Sequence, residues 1–279
     1  MTEVSRQSTG EVSYLTRSGS GPVVVFLHGI GSNAASFAPV FDRLPADLNL
    51  VAWNAPGYLD SAPQAEPWPV ADDYACALER FLDALGHRRV HLVGHSLGTL
   101  IATAFARRAP DRLDSLTLAA AANGYGVTPG GALSDKTAKR LEDLAALGPA
   151  AFAKARAANL VHDPEANPEI VAQVEAAMAQ VNPEGYEQAV RMLASGNLAG
   201  DIGAVKMRPA FIIGAQDNVT PEAQTRAAAD AWQAAHGAAP RVTEIDQAGH
   251  AVYLQQPDAF CDALMAQIAP ASSRNPEGV

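Results

Sequence analysis

RVHLVGHSLGTLIATAFARR, residues 89–108, sets three patterns in a row, and their order decides the fold. Arg89 to Val93 is a short β-rich apolar run, Gly94-His95-Ser96-Leu97-Gly98 is a turn of small residues, and Leu97 to Arg108 repeats apolar residues at helical spacing. A strand that turns sharply into a helix around a serine fits the G-x-S-x-G nucleophile elbow. The turn forces Ser96 into strained dihedrals that lift its hydroxyl above the sheet, while Gly94 and Gly98 let neighbouring chain pass. It also aims the N-terminus of the helix at any developing negative charge. Five residues alone are modest evidence, with about 0.09 accidental matches expected for this composition. The flanking strand and helix give the motif its weight, against the bland reading of a glycine-rich turn with an inert serine.

Outward from this stretch, other β-rich runs alternate with helical ones. Val23 to Leu27, Leu48 to Trp53, Leu116 to Leu118, Pro209 to Ile213 and Arg241 to Ile245 read as strands, several of them nearly uninterrupted apolar stretches as expected for parallel strands covered on both faces, and Glu11 to Thr16 as an antiparallel edge strand. Val70 to Leu85, Pro221 to Ala235 and Ala251 to Ile268 read as helices. Alternation of this kind implies an α/β fold with a mostly parallel, doubly wound sheet. It stops between Ala119 and Pro209, where roughly 80 residues read as helices only. The expected division is a core of residues 1–122 and 205–270, a helical cap over 123–204 inserted before the strand at 209–213, and a flexible tail over 271–279. Within the cap, Ile170, Val174, Met178 and Val181 share one helical face, and Tyr186, Val190 and Leu193 another. These stripes serve packing of cap on core or line a substrate site, with Tyr125, Met178 and Met192 as candidate lining residues.

Two more residues complete a chemistry for Ser96. Asp217, in Gly214-Ala215-Gln216-Asp217, follows a strand and so lies at the carboxyl edge of the sheet beside the elbow. His250, in Ala248-Gly249-His250, follows the last strand and reaches the same edge. Serine, aspartate and histidine then stand in the chain order expected for nucleophile, orienting acid and general base in this fold. Asp217 could instead serve a turn before Thr220-Pro221, and His250 could be a surface loop histidine. An oxyanion hole needs two N–H donors, one of them from the residue after the nucleophile, here Leu97. His28-Gly29-Ile30-Gly31, directly after the strand Val23 to Leu27, offers the Ile30 amide as the second. His28 itself reads as a residue that holds this loop.

Taken together, His28-Gly29, Asn54-Ala55-Pro56-Gly57, Gly94-His95-Ser96-Leu97-Gly98, Asp217 and Gly249-His250 resemble the α/β-hydrolase superfamily, in its small bacterial esterase, enol-lactonase and carbon-carbon hydrolase branch. The resemblance runs from about Val23 to Ile268. It implies the α/β-hydrolase fold, a triad of Ser96, Asp217 and His250, oxyanion donors at Ile30 and Leu97, and no metal or organic cofactor. The departures are Asn54 where many relatives have Asp, Leu59-Asp60 in place of a common Gly and its neighbour, and Thr99 where Gly is frequent. A serine at the elbow sets the chain apart from dehalogenases and epoxide hydrolases, which need a carboxylate there. His95 is typical of many esterases, whereas carbon-carbon hydrolases commonly carry Asn at that place.

The expected function is hydrolysis, through an acyl-enzyme, of an ester or lactone of a small to medium, largely apolar acid. The alternatives are a carbon-carbon hydrolase of ring-cleavage products and, in another class, a non-catalytic ligand sensor on the same fold. His87, His91 and His95 fall across a strand rather than on a helix face, which argues against a metal site. The partner is a small-molecule substrate. A formal charge of −10 argues against nucleic acid, and no apolar run approaches a membrane span. Cys76 and Cys261 read as separate free thiols, and with a polar start at Met1 to Gly10 they suggest a cytoplasmic protein. Oligomeric state is not legible.

Overall fold

A computed structural model describes residues 3–268. Eight strands, β1 (Val4–Thr9), β2 (Val12–Arg17), β3 (Val23–Leu27), β4 (Asn49–Trp53), β5 (Val90–His95), β6 (Leu113–Ala119), β7 (Ala210–Gly214) and β8 (Arg241–Ile245), form one sheet in the order β1-β2-β4-β3-β5-β6-β7-β8. All pairings from β4 across to β8 are parallel, while β1 with β2 and β2 with β4 are antiparallel. The helices are α1 (Ala38–Phe41), α2 (Ala71–Ala84), α3 (Leu97–Arg108), α4 (Asp135–Arg156), α5 (Pro168–Met178), α6 (Pro183–Ser195), α7 (Leu198–Asp201), α8 (Glu222–His236), α9 (Val252–Gln255) and α10 (Pro257–Ile268). Among the described residues, no helix is long and apolar enough to cross a membrane.

The sheet's centre is dry. Val24 to Leu27, Leu92, Val93, Leu116, Leu118, Phe211 and Ile213 are almost wholly buried, because helices cover both faces of the parallel strands. On one side α3 packs on β3, β5 and β6 and also meets α2, while α10 packs on β6, β7 and β8 and meets α1. Ser96, which follows the central β5, thus rests on a strand that is buried throughout and paired on both sides.

Two expectations are corrected. The strand expected at Glu11 to Thr16 is β2, and it is not an edge: β1 hydrogen-bonds to its outer side. The sequence VSRQST of β1 is polar and half exposed, as an edge strand allows, so it carries no buried-strand signal. The single helix expected over 251–268 is two, α9 and α10, because Pro257 holds the preceding Gln256 out of the helical region, at φ −129° and ψ 62°. The tail at 271–279 lies outside the described residues.

Between β6 and β7 the chain forms α4 to α7 and no strand. Val174, Met178 and Val181 are buried, as are Tyr186, Val190 and Leu193, so both apolar stripes face inward. Helix α6 meets the β4–α2 loop at backbone distance. A Cβ on Gly185 would lie 1.9 Å from the Gly57 carbonyl oxygen. Beside that contact, Gln188 Nε2 donates to the carbonyls of Gln64 (2.8 Å) and Glu66 (3.0 Å).

Candidate active site

Ser96 sits at φ 52° and ψ −117°, between the end of β5 and the start of α3. For a residue with a Cβ this is a strained conformation, costing about 1–3 kcal/mol, and it holds only where the surroundings enforce it. They do so by hydrogen bonds: the Ser96 amide donates to Ala119 O at 2.9 Å, and Ser96 O accepts from the Thr99 amide at 2.9 Å and the Thr99 hydroxyl at 2.6 Å. Space is the other requirement. A Cβ on Gly94 would lie 2.4 Å from Gly98 O, and one on Gly98 2.4 Å from Leu27 O. Thr99, where relatives often carry Gly, therefore braces the elbow with a hydroxyl that Gly lacks.

His250 and Asp217 reach the same edge from the loops after β8 and β7. His250 Nδ1 lies 2.9 Å from Asp217 Oδ2, and both side chains are almost wholly buried. The other carboxylate oxygen, Oδ1, accepts from the amides of Val219 (2.8 Å) and Thr220 (2.9 Å). Burial by itself would raise the Asp217 carboxyl, but its interactions with His250 and Thr220 outweigh that and hold it below the ordinary carboxylate value. The carboxylate is thus ionised and able to accept the Nδ1 proton, which leaves Nε2 of His250 free to act as a base.

Thr220 is the site residue that sequence reasoning passed over. Its hydroxyl oxygen lies 2.9 Å from Asp217 Oδ2, 3.2 Å from His250 Nδ1 and 3.0 Å from Ala120 O. It links the acid, the imidazole and the loop after β6. In the sequence it read only as a helix start, Thr220-Pro221, and nothing in that pattern signals a contact 30 residues ahead.

Two buried imidazoles support the loops around Ser96. His28 Nε2 accepts from the Ala55 amide at 3.0 Å while its Nδ1 faces Gly29 O at 2.8 Å, so the ring ties the candidate oxyanion loop to the loop after β4. Burial pushes His28 down to about 4. His95 Nε2 faces the carbonyl of His250 at 2.9 Å, and its Nδ1 has no partner among the described residues. Burial first, and the neighbouring His250 next, push it down to about 3. Asn54, another of the departures from the family pattern, donates from Nδ2 to Ser13 Oγ and accepts the Ala34 amide on Oδ1, both at 2.8 Å. An aspartate could not do both.

Ser96, His250, Thr220 and Ile30 open onto one cavity of about 350 Å³. Ser96 and His250 share it without a hydrogen bond between them among the described residues; such pairs often close only on a bound substrate. Leu97 is the first residue of α3, so its N–H has no partner within the helix. Tyr125 and Met178 line the cavity as expected. Met192 does not: it stands about 100° around α6 from Leu193, which does line it, and its side chain is fully buried in the core. Nor is the wall as apolar as expected. Lys136, Arg140 and Arg156 of α4 all reach it, and no Asp or Glu does.

The sequence matches the model of the alpha/beta hydrolase family over residues 24–263. The chain belongs to the alpha/beta hydrolase family. In structure, this hydrolase is similar to an enol-lactonase from Burkholderia xenovorans LB400, with a TM-score of 0.81 and 21% identity over 95% of this chain and 99% of the other. It is also similar to a 2-hydroxy-6-oxo-6-phenylhexa-2,4-dienoate hydrolase from Rhodococcus sp. strain RHA1, with a TM-score of 0.75 and 20% identity over 96% and 99%. In sequence, it is 34% identical over 109 residues to a poly(3-hydroxyalkanoate) depolymerase from Ectopseudomonas oleovorans, covering 39% of this chain and 38% of that protein. The stretches matched in the curated relatives span about a third of their length.

Proposed function

We propose that this hydrolase cleaves an ester or lactone through a covalent acyl-enzyme on Ser96. The observation that carries the reading is a serine held at positive φ on the rim of a cavity that also receives His250, whose far nitrogen is 2.9 Å from a buried carboxylate. In this reading, Ser96 Oγ attacks the carbonyl carbon as its proton passes to His250 Nε2, and the amides of Ile30 and Leu97 hold the oxyanion. The carbon–oxygen bond to the leaving alkoxide breaks as His250 returns the proton to it. Water, deprotonated by the same imidazole, then attacks the acyl carbon and frees the acid and Ser96. Residues 123–204 act as the cap that closes over the acyl group. The likeness to the lactonase and the absence of a carboxylate at position 96 support ester-type chemistry.

The likeness to the Rhodococcus hydrolase favours a second reading, hydrolysis of a carbon–carbon bond beside a ketone. Turnover of p-nitrophenyl acetate against a vinylogous diketone separates the two, and cleavage of the diketone alone would reverse their order. A fluorophosphonate probe tests the shared premise. It is expected to label the wild type at Ser96 and not Ser96→Ala; absence of an adduct would leave a ligand sensor as the better account.

A further inference from the structure

α4 is one helix in name only. At Gly148 the backbone leaves the helical region, with φ 71° and ψ 164°, and Pro149 opens a second arm. On an unbroken helix, residues 140 and 156 would stand about 24 Å apart. Here both line the same cavity, and both act on the Tyr186 phenol, which burial raises and the two nearby cations lower. Burial, and then the like charge of Arg140, lower the Arg156 guanidinium. Lys136 stands one turn before Arg140 and is exposed.

Among the described residues, none of these three cations is in an ion pair, although eight other lysines and arginines are, with Asp or Glu partners. Asp143, the acid felt by Arg156, is taken by Lys139 at 2.8 Å. Arg156 rests over the Phe152 ring at 5.1 Å. In a chain of net charge −10, three cations meet on one cavity wall that holds no carboxylate. Two guanidiniums that repel each other on a partly desolvated wall are relieved by an anion between them. Their planar forks match a carboxylate, which each can bind through two N–H groups.

We propose that the substrate's acyl part carries a second carboxylate, held by Arg140 and Arg156 while its ester or lactone carbonyl lies at Ser96. Lys136, at the exposed end of the same wall, draws the anion in. The substrate class is therefore the monoester, or the carboxylated lactone, of a small dicarboxylic acid. This rests on the ester-hydrolase reading of Ser96.

The test compares p-nitrophenyl hemiglutarate with p-nitrophenyl valerate, which match in chain length and differ in the terminal carboxylate. In wild type, kcat/KM is expected to favour the hemiglutarate at least 10-fold, less at high salt. In Arg140→Met and Arg156→Met that preference falls about 10- to 100-fold, the range for a charge-assisted pair, mostly through KM, and Arg140→Lys restores part of it. Equal use of both esters by the wild type, or a preference that survives both Met variants, overturns the proposal while leaving Ser96 catalysis intact. If neither ester is cleaved, the ester-hydrolase reading fails, and the anion site is judged by binding alone. Glutarate is then expected to raise the melting temperature of wild type and Ser96→Ala but not of Arg140→Met, and no shift in wild type overturns it.

Discussion

At the scale of single residues, Thr220 is the most informative side chain because its hydroxyl touches both the acid and the imidazole. One hydroxyl proton cannot serve Asp217 and Ala120 O at once, so the group works by holding Asp217 and His250 in register rather than by reacting. Thr220→Val keeps the shape and removes the hydroxyl. It is expected to lower kcat for a neutral ester about 10-fold, as the loss of one hydrogen bond of about 1–1.5 kcal/mol implies, with KM little changed. A kcat within twofold of wild type would show that the backbone amides alone orient the acid. Legibility also divides at this scale. That Ser96, Asp217 and His250 lie on one edge of the sheet was readable because each sits in a turn after a strand, where few structural duties compete. Arg140 and Arg156 were not, since a basic residue on a helix usually marks a solvated face, and only the folding back of α4 turns these two inward.

Among the elements, β3 to β7 were readable as apolar runs and the edge strand β8 by Val242 and Ile245 among polar residues, while β1, the other edge, was lost because VSRQST carries a single apolar residue. The break in α4 had a signal, Gly148-Pro149, one of the dipeptides that mark turns. Its conformation lies in the region that only glycine occupies readily, and proline requires the extended ψ before it. Apart from the adjoining chain, no atom among the described residues stands within 4 Å of where a Cβ would go. Gly148→Ala thus adds backbone strain without collision. It is expected to cost about 1–3 kcal/mol in urea unfolding and to weaken the preference for the hemiglutarate by changing the angle between the two arms. Full retention of both stability and preference would mean that the break is set elsewhere.

Acid stability is a property of the whole molecule. His28 and His95 are buried neutral, held down to about 4 and about 3, whereas unfolding returns them to about 6.5. Protonating His28 would also destroy the Nε2 acceptor of the Ala55 amide. Because the folded values are depressed, their contribution is complete above pH 6.5 and is lost as pH falls from 6.5 towards 4 and 3. Each imidazole adds a slope of about 1.4 kcal/mol per pH unit in that window. Urea midpoints at pH 7, 6 and 5 are expected to fall in step, and His95→Gln to flatten the decline by one proton. A stability constant from pH 7 to 5 would refute it.

The contact between Gly57 and Gly185 has a consequence for how such a chain can vary. Main chain touches main chain there, so no rearranged side chain elsewhere can make room for a methyl at either place. A lineage that acquired one must have carried α6 bodily to a new seat, and the substrate chamber beneath it would have been recut in the same step.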